Sequence, residues 1–276
     1  MPGKAEKDMT QQKDEIIQIF DSIASRTSWE RLYIGTIDRI SYNFVTRQRA
    51  VEELLAPYLI GKALDLGCGS GDLVPFYVNK WVSYTGVDLS HNMIERAHVN
   101  YASLIQDNTA VFQMADCEAL PFVAGAFDMI SAVALIEYLP DPTKAFDEIA
   151  RVMKTGGYAL VTVPHRKCIN SKVRAFLKPL RDLFFSLYLK LQKAPLAAMK
   201  SVTHFSYDQI EADFFMNSRG FVKIADRYTN FHIVLHPLDH LIPKVYMRIS
   251  EQIDRGKRDQ AYKNWASNYI ALYRKN

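Results

Sequence analysis

The chain has 276 residues, 49% of them apolar and 23% charged, with a net charge of +4. This is an ordinary globular composition with room for a sizeable core, and it excludes disordered and fibrous classes. So small a charge excess does not by itself imply nucleic acid. Three scattered cysteines, Cys68, Cys117 and Cys168, offer neither a Cys-x-x-Cys pair nor a thiolate metal site.

The polar N-terminus lacks the apolar segment of a signal peptide, and no run reaches the roughly 18 apolar residues of a membrane span. A cytoplasmic protein is expected, peripheral to a membrane at most. In chain order, residues 1–15 read as a flexible tail, and helices at Glu15–Ile23 and Thr46–Tyr58 read as an N-terminal helical cap over 16–60. One domain is expected over 61–276. Strands at Ala63–Leu66, Val82–Asp88, Ala110–Met114, Phe127–Val133 and Tyr158–Val163 alternate with helices at Asp72–Val78, Asn92–Leu104 and Thr143–Met153. That alternation predicts βαβ units on a parallel sheet. Lys154-Thr155-Gly156-Gly157 fits a glycine C-cap with a sharp turn.

Beyond it, a helical insertion is expected at about 165–203, a helix at Ser206–Ser218, strands at Phe221–Tyr228 and Trp265–Arg274, and a second insertion at about 231–264. Between His165 and Val202 nine Lys or Arg face one Asp, so the basic character is local. Within 171–193, Val173, Phe176, Leu177, Leu180, Phe184, Leu187 and Leu191 fall at helical spacing. Such a basic amphipathic stretch suits an anionic membrane surface or the cover of a lipophilic pocket; it suits an ordinary cap helix equally well.

The strongest motif is Ala63-Leu64-Asp65-Leu66-Gly67-Cys68-Gly69-Ser70-Gly71, an apolar strand running into alternate glycines and then a helix. Such a turn brings bare backbone against a ligand. Asp88 ends the next strand 17 residues after Gly71, where a carboxylate can accept hydrogen bonds from both ribose hydroxyls. Asp116 follows the third strand, within reach of an adenine amino group. Each acid alone also reads as a solvated loop or cap residue; together they mark the carboxyl ends of consecutive strands, where open α/β sheets bind ligands. An NAD site would want glycine at 72, where Asp72 stands, and no Gly-Lys-Ser/Thr follows to make a Walker loop.

Through LDLGCGSG, GVDLS, ADCEALPF, FDMISAVALIEYLPDP and EIARVMKTGGYALVTVP over 63–163, the sequence resembles the class I, S-adenosylmethionine-dependent methyltransferases. The resemblance implies a Rossmann-like, seven-stranded, mostly parallel α/β sheet with helices on both faces and an antiparallel last strand. It implies S-adenosyl-L-methionine as cofactor, with Gly67, Gly69 and Gly71 beside its methionine portion, Asp88 on the ribose, and Asp116 with Cys117 near the adenine. Asp65, Cys68, Leu89, Met93 and Val133 join the expected cofactor site, and Arg47 and Tyr33 belong to a lid, with Arg47 on the cofactor's carboxylate. The stretch FDSIASRTSWERLY at 20–33 is similar to the start of magnesium-protoporphyrin and some quinone methyltransferases. Many relatives carry histidine where this chain has Tyr138.

Methyl transfer to a hydroxyl calls for a base only if the nucleophile must lose a proton. His165, after the fifth strand, and His204 are the candidates; a surface histidine or a helix N-cap neighbour accounts for either as well. His232, His236 and His240 follow one helical spacing, with no Glu-x-x-His pattern to support a metal site. The expected acceptor is a small lipophilic or amphiphilic molecule methylated at a hydroxyl or carboxyl oxygen, with N- or C-methylation of a natural product, quinone or porphyrin as the alternative. A non-catalytic cofactor-binding protein stays open. Val133-Ala134-Leu135-Ile136 stands where a base-methylating enzyme would show Asn-Pro-Pro-Tyr, so no nucleic-acid partner is expected, and the oligomeric state is left open.

Overall fold

The computed structural model describes residues 4–26, 39–80, 82–170, 172–173, 176–177, 205–232, 243–255 and 259–276. Its centre is a seven-stranded sheet made of β1 (Lys62–Leu66), β2 (Ser83–Asp88), β3 (Ala110–Met114), β4 (Phe127–Ala132), β5 (Met153–Pro164), β6 (Phe221–Phe231) and β7 (Ala266–Lys275). The strand order is β3-β2-β1-β4-β5-β7-β6. The first five strands pair in parallel, and β7 runs antiparallel to both of its neighbours. Reversal of order at β1 opens a crevice at the strands' carboxyl ends, the usual ligand position in such sheets.

Alternation of side chains along the strands explains why both faces are apolar. On one face Leu64, Leu66, Ile130, Ala132, Ala159, Val161 and Val163 form a buried cluster with Ala145, Phe146, Ile149 and Val152. The last four belong to α6 (Thr143–Val152), where they recur at helical spacing. On the other face Ala63, Met129, Leu160, Ile270 and Leu272 meet Val51, Leu54 and Leu55 of α2 (Arg39–Leu55), Tyr77 of α3 (Val74–Val78) and Ala97 of α4 (His91–Asn100). Strands covered on both faces read as near-continuous apolar runs, which is what makes them visible in the sequence. Full burial of a side chain such as Phe146 is worth roughly 1.5–3 kcal/mol.

Several boundaries differ from the sequence expectation. The first helix, α1, spans Lys4–Arg26 and so takes in most of the polar stretch expected as a tail. After α4 a short α5 (Ala102–Gln106) follows a break at Tyr101. The glycine C-cap expected at Lys154–Gly157 is absent: α6 is capped by Met153, which is already paired in β5 with Phe127. The next pair is Met129 with Tyr158, so Lys154–Gly157 form a bulge, with Gly156 at φ +81°.

Downstream, α7 (Gln209–Asn217) starts at a capping box, with Asp208 and Glu211 each accepting from the other's backbone N–H. The second insertion includes α8 (Pro243–Arg255) and α9 (Asp259–Tyr262). No helix among the described residues is long and apolar enough to cross a membrane. Most of the basic amphipathic stretch 171–193 lies outside the described residues; within it Phe176 is 83% exposed.

Candidate active site

β1 delivers the chain into the turn Gly67–Gly71, and β2 holds that turn. The N–H groups of Gly67 and Cys68 both donate to the Val87 carbonyl, at 2.8 and 3.0 Å. The Asp88 carboxylate then grips the turn, one oxygen accepting from the Gly69 N–H and the other from the Ser90 N–H, both at 2.9 Å. Gly67, Gly69 and Gly71 have φ of +66°, +52° and +93°, a region L-residues avoid.

The glycines serve different ends. A Cβ on Gly69 would meet nothing within 4 Å, so its surface faces open space; one on Gly71 would lie 2.5 Å from the Tyr101 ring. Gly71 therefore packs the turn against the protein and does not line the crevice.

That crevice is a cavity of about 310 Å³. Its floor is the glycine turn with Asp65, Asp72 and Asp88, and Leu89, Met93, Ala115 and Cys117 form one side. Val133–Leu135 and Glu137–Leu139 from the carboxyl end of β4 form the opposite wall. Of the residues expected at the cofactor, Asp65, Gly67, Cys68, Gly69, Asp88, Leu89, Met93, Cys117, Val133 and Arg47 all line it. Asp116 sits just outside, where Lys13 of α1 approaches its carboxylate to 2.7 Å and also pairs with Glu118. Tyr33 and His204 lie outside the described residues.

Burial shapes the chemistry of these groups. Asp65, between the Tyr84 and Ser131 hydroxyls at 2.8 and 2.6 Å, is buried enough to raise its carboxyl to about 7. Burial also raises Asp88, although the surrounding N–H groups oppose it. Buried Cys117 is pushed up to about 12 and Cys68 well above its ordinary value, so both are neutral thiols rather than nucleophiles.

His165 is only 5% exposed, beside the Tyr228 ring at 5.2 Å, and is absent from the cavity lining. Burial foremost, with Lys167, lowers it to about 4, so it is a neutral imidazole packed in the core.

Two further walls come from the N-terminal helical cap, expected as a lid with Arg47 on the cofactor, although most of its lining residues were not legible in the sequence. α1 lies across the mouth, contributing Lys13, Ile16 and Phe20; it is held by Asp21, which accepts from the Ser90 hydroxyl, and by Arg96, which donates to the Ala24 carbonyl at 2.6 Å. α2 contributes Asn43, Phe44, Arg47 and Gln48, with the buried Arg47 guanidinium 5.2 Å from the Phe44 ring. At the β4 end, Glu137 is buried at 7% exposure and raised to about 6 by burial, against the pull of Arg47. The signal for Glu137 was present as a lone acid in the apolar run Ala132–Leu139.

Comparison with known proteins agrees with this fold. Residues 64–161 match the model of a family described as a methyltransferase domain. The chain is 31% identical over 101 residues to a phosphatidylethanolamine N-methyltransferase of Cereibacter sphaeroides, covering 37% of this chain and 49% of that protein. It is 30% identical over 162 residues to a ubiquinone/menaquinone biosynthesis C-methyltransferase of Geotalea uraniireducens, covering 55% and 64%. The chain thus spans about half to two thirds of these relatives' length. Among solved structures, the magnesium protoporphyrin IX methyltransferase of Synechocystis with bound S-adenosylhomocysteine superposes with a TM-score of 0.64 at 14% identity, over 96% of this chain and 100% of that one. A Methanosarcina mazei S-adenosylmethionine-dependent methyltransferase gives 0.54 at 20% identity, over 80% and 96%. Residues 64–161 thus resemble the methyltransferase-domain family, and the sheet around them has the class I, S-adenosylmethionine-dependent methyltransferase fold.

Proposed function

We propose that the protein transfers a methyl group from S-adenosyl-L-methionine to an oxygen of a small lipophilic or amphiphilic acceptor. The observation that carries this reading is the Gly69–Asp88 pair: a backbone cradle open to the cavity, with a carboxylate fixed beside it. Asp88 accepts the Gly69 N–H on one oxygen and the Ser90 N–H on the other, with the Leu89 N–H beside them, and its remaining acceptor capacity is proposed to take ribose hydroxyls. Acids at Asp65, Asp72 and Asp88 against Lys13 and Arg47 suit a ligand that carries a positive charge as well as a carboxylate. The cofactor supplies an electrophilic methyl on a sulfonium; the protein's share is to hold the acceptor in line at about 3–3.5 Å and to exclude water.

Arg47 is the proposed partner of the cofactor's carboxylate. Ile16, Phe20, Phe44, Leu135 and Leu139 give the cavity an apolar side that fits a lipophilic acceptor, and the phospholipid and quinone names of the relatives support that class. The basic stretch 171–193 is proposed to bring the protein to an anionic membrane surface that holds such acceptors. Pelleting with vesicles containing anionic phospholipid tests this: loss of binding on replacing Phe176, Phe184 and Leu187 with serine supports it, and unchanged binding rejects it.

The primary test is calorimetric titration with S-adenosylmethionine and, separately, NADH. Binding of the sulfonium cofactor alone, abolished in a folded Asp88→Ala variant, is the expected result. A folded protein that binds neither, or NADH only, overturns the reading.

A further inference from the structure

The cavity's most unusual group is Glu137. It stands in the 3-10 turn Ile136–Tyr138 that follows β4, in the wall formed by Val133–Leu135 and Glu137–Leu139, and it is buried. Among the described residues no side chain hydrogen-bonds its carboxylate; Arg47 acts on it through charge alone, and its own N–H is its remaining polar support. Its oxygens keep access to the cavity, where a bound polar group can supply the partner that the protein does not.

The surrounding backbone is built to hold it there. Ala134, which also lines the cavity, sits at φ +53°, a strained conformation for a residue with a Cβ, and its N–H donates to the Thr162 hydroxyl at 2.8 Å. The Glu137 carbonyl accepts from the Phe205 N–H at 2.8 Å, and the Tyr207 hydroxyl donates to the Leu139 carbonyl at 3.0 Å. The turn is therefore pinned from three sides while its acid faces the cavity.

We infer that Glu137 takes the proton of a hydroxyl acceptor during methyl transfer, so that the acceptor is a neutral hydroxyl compound bound against the Glu137–Tyr138 wall. The inference rests on the methyltransferase reading above. The step balances: the acceptor oxygen forms a bond to the methyl carbon, the carbon–sulfur bond breaks with its electron pair passing to sulfur, and the hydroxyl proton moves to the Glu137 carboxylate. The cationic sulfonium becomes a neutral thioether as the carboxylate becomes a neutral acid, so no charge is left stranded in the cavity. The positive charge facing Glu137 is Arg47 on α2; Tyr138, on its own turn and edge-on to Phe20 of α1 at 5.1 Å, is the other titratable neighbour. Burial raises that Tyr138 hydroxyl above its ordinary range, so it stays protonated while Glu137 titrates. The elevated carboxyl, at about 6, puts Glu137 in the range where a general base works near neutral pH.

The test measures S-adenosylhomocysteine formation from pH 5 to 9 with phenol, 4-hexylphenol and 1-hexanol, and with 4-hexylaniline as the nitrogen counterpart. It compares wild type with Glu137→Gln, Glu137→Asp and His204→Ala, and calorimetry gives each protein's affinity for S-adenosylmethionine. The expected result is cofactor binding within about threefold of wild type for Glu137→Gln. Its turnover of the hydroxyl acceptors falls about 100-fold or more, the scale of a lost general base, and the loss shrinks at high pH, where a phenol ionises unaided. Glu137→Asp should retain part of the rate with a shifted acid limb, and it decides the matter if Glu137→Gln does not fold. Wild-type rates in both variants, an acid limb that disappears only in His204→Ala, or a wild type that binds cofactor yet methylates the aniline and none of the hydroxyls each overturns the inference. Failure of the wild type to bind S-adenosylmethionine rejects the parent reading instead.

Discussion

At Asp65 a carboxylate is held inside the sheet by two hydroxyl donors and raised to about 7 by burial, against about 3.9 for an unfolded chain. The folded protein thus holds this proton more tightly than the unfolded one. The stability it lends is fully present below about pH 4 and is lost as pH rises to about 7. Thermal melts at pH 5 and pH 8 should show a drop in wild type that is smaller in Asp65→Asn; equal drops would place the titration elsewhere. The glycine turn offers a second residue-scale contrast. Gly69→Ala meets no atom, so it should cost roughly 1–2 kcal/mol, the left-handed penalty alone, yet weaken cofactor binding because the new methyl enters the cavity. Gly71→Ala adds an overlap with Tyr101 and should destabilise more, by denaturant melts, while the cradle surface itself is untouched.

Elements differ in how they are held, and this decides what could be read from the sequence. β1, β4 and β5 were legible because a strand buried on both faces must be apolar throughout, the edge strand β3 because it is apolar although half-exposed, and the acids at the strand ends stand out against such runs. The later part of α1 was expected as a helix, but its start and its docking were not legible, because polar contacts do much of that docking: Lys13 to Asp116, Asp21 to Ser90, Arg96 to the Ala24 carbonyl. No apolar stripe announces contacts of that kind. The bulge at Lys154–Gly157 read as a helix cap because glycine pairs serve both purposes; a Cβ on Gly157 would lie 2.8 Å from the Asp128 carbonyl oxygen, a contact between strands that local sequence does not encode. His165 stood at a strand's carboxyl end, where chemistry is common, but it turns into the core beside Tyr228. The docking of α1 predicts that Asp21→Ala will speed proteolysis within 4–26 and weaken S-adenosylmethionine binding, with little change in the melting of the sheet. Unchanged protease sensitivity would show that α1 is held by other contacts.

For the whole molecule, three acids lean the same way: Asp65 and Glu137, both buried at the cavity, and the partly buried Asp254, remote from it. Asp65 in the sheet and Asp254 on α8 are both raised to about 7, and Glu137 to about 6. Asp254 accepts from the Tyr42 hydroxyl at 3.1 Å and so joins α8 to α2, the helix that carries Arg47. Each contributes stability below about pH 4 that is lost by about pH 6–7; buried His165, lowered to about 4, leans the other way, and three acids against this one histidine predict a protein more resistant to denaturant at pH 5 than at pH 8. A urea midpoint that rises with pH across this window would contradict that.

The two sides of the cavity hang from different parts of the fold. The glycine turn is tied to β2 through Val87 and Asp88, whereas Val133–Leu139 is tied to β5 through Thr162 and to residues 205–207. Mutational drift can therefore revise one side while the other keeps its geometry. A lineage built on this plan can trade one acceptor for another by altering residues 134–139 and their props, leaving the proposed methyl-donor residues, Val133 included, unchanged. Chimeras that exchange 134–139 together with 205–207 are the natural starting point for redirecting such a catalyst.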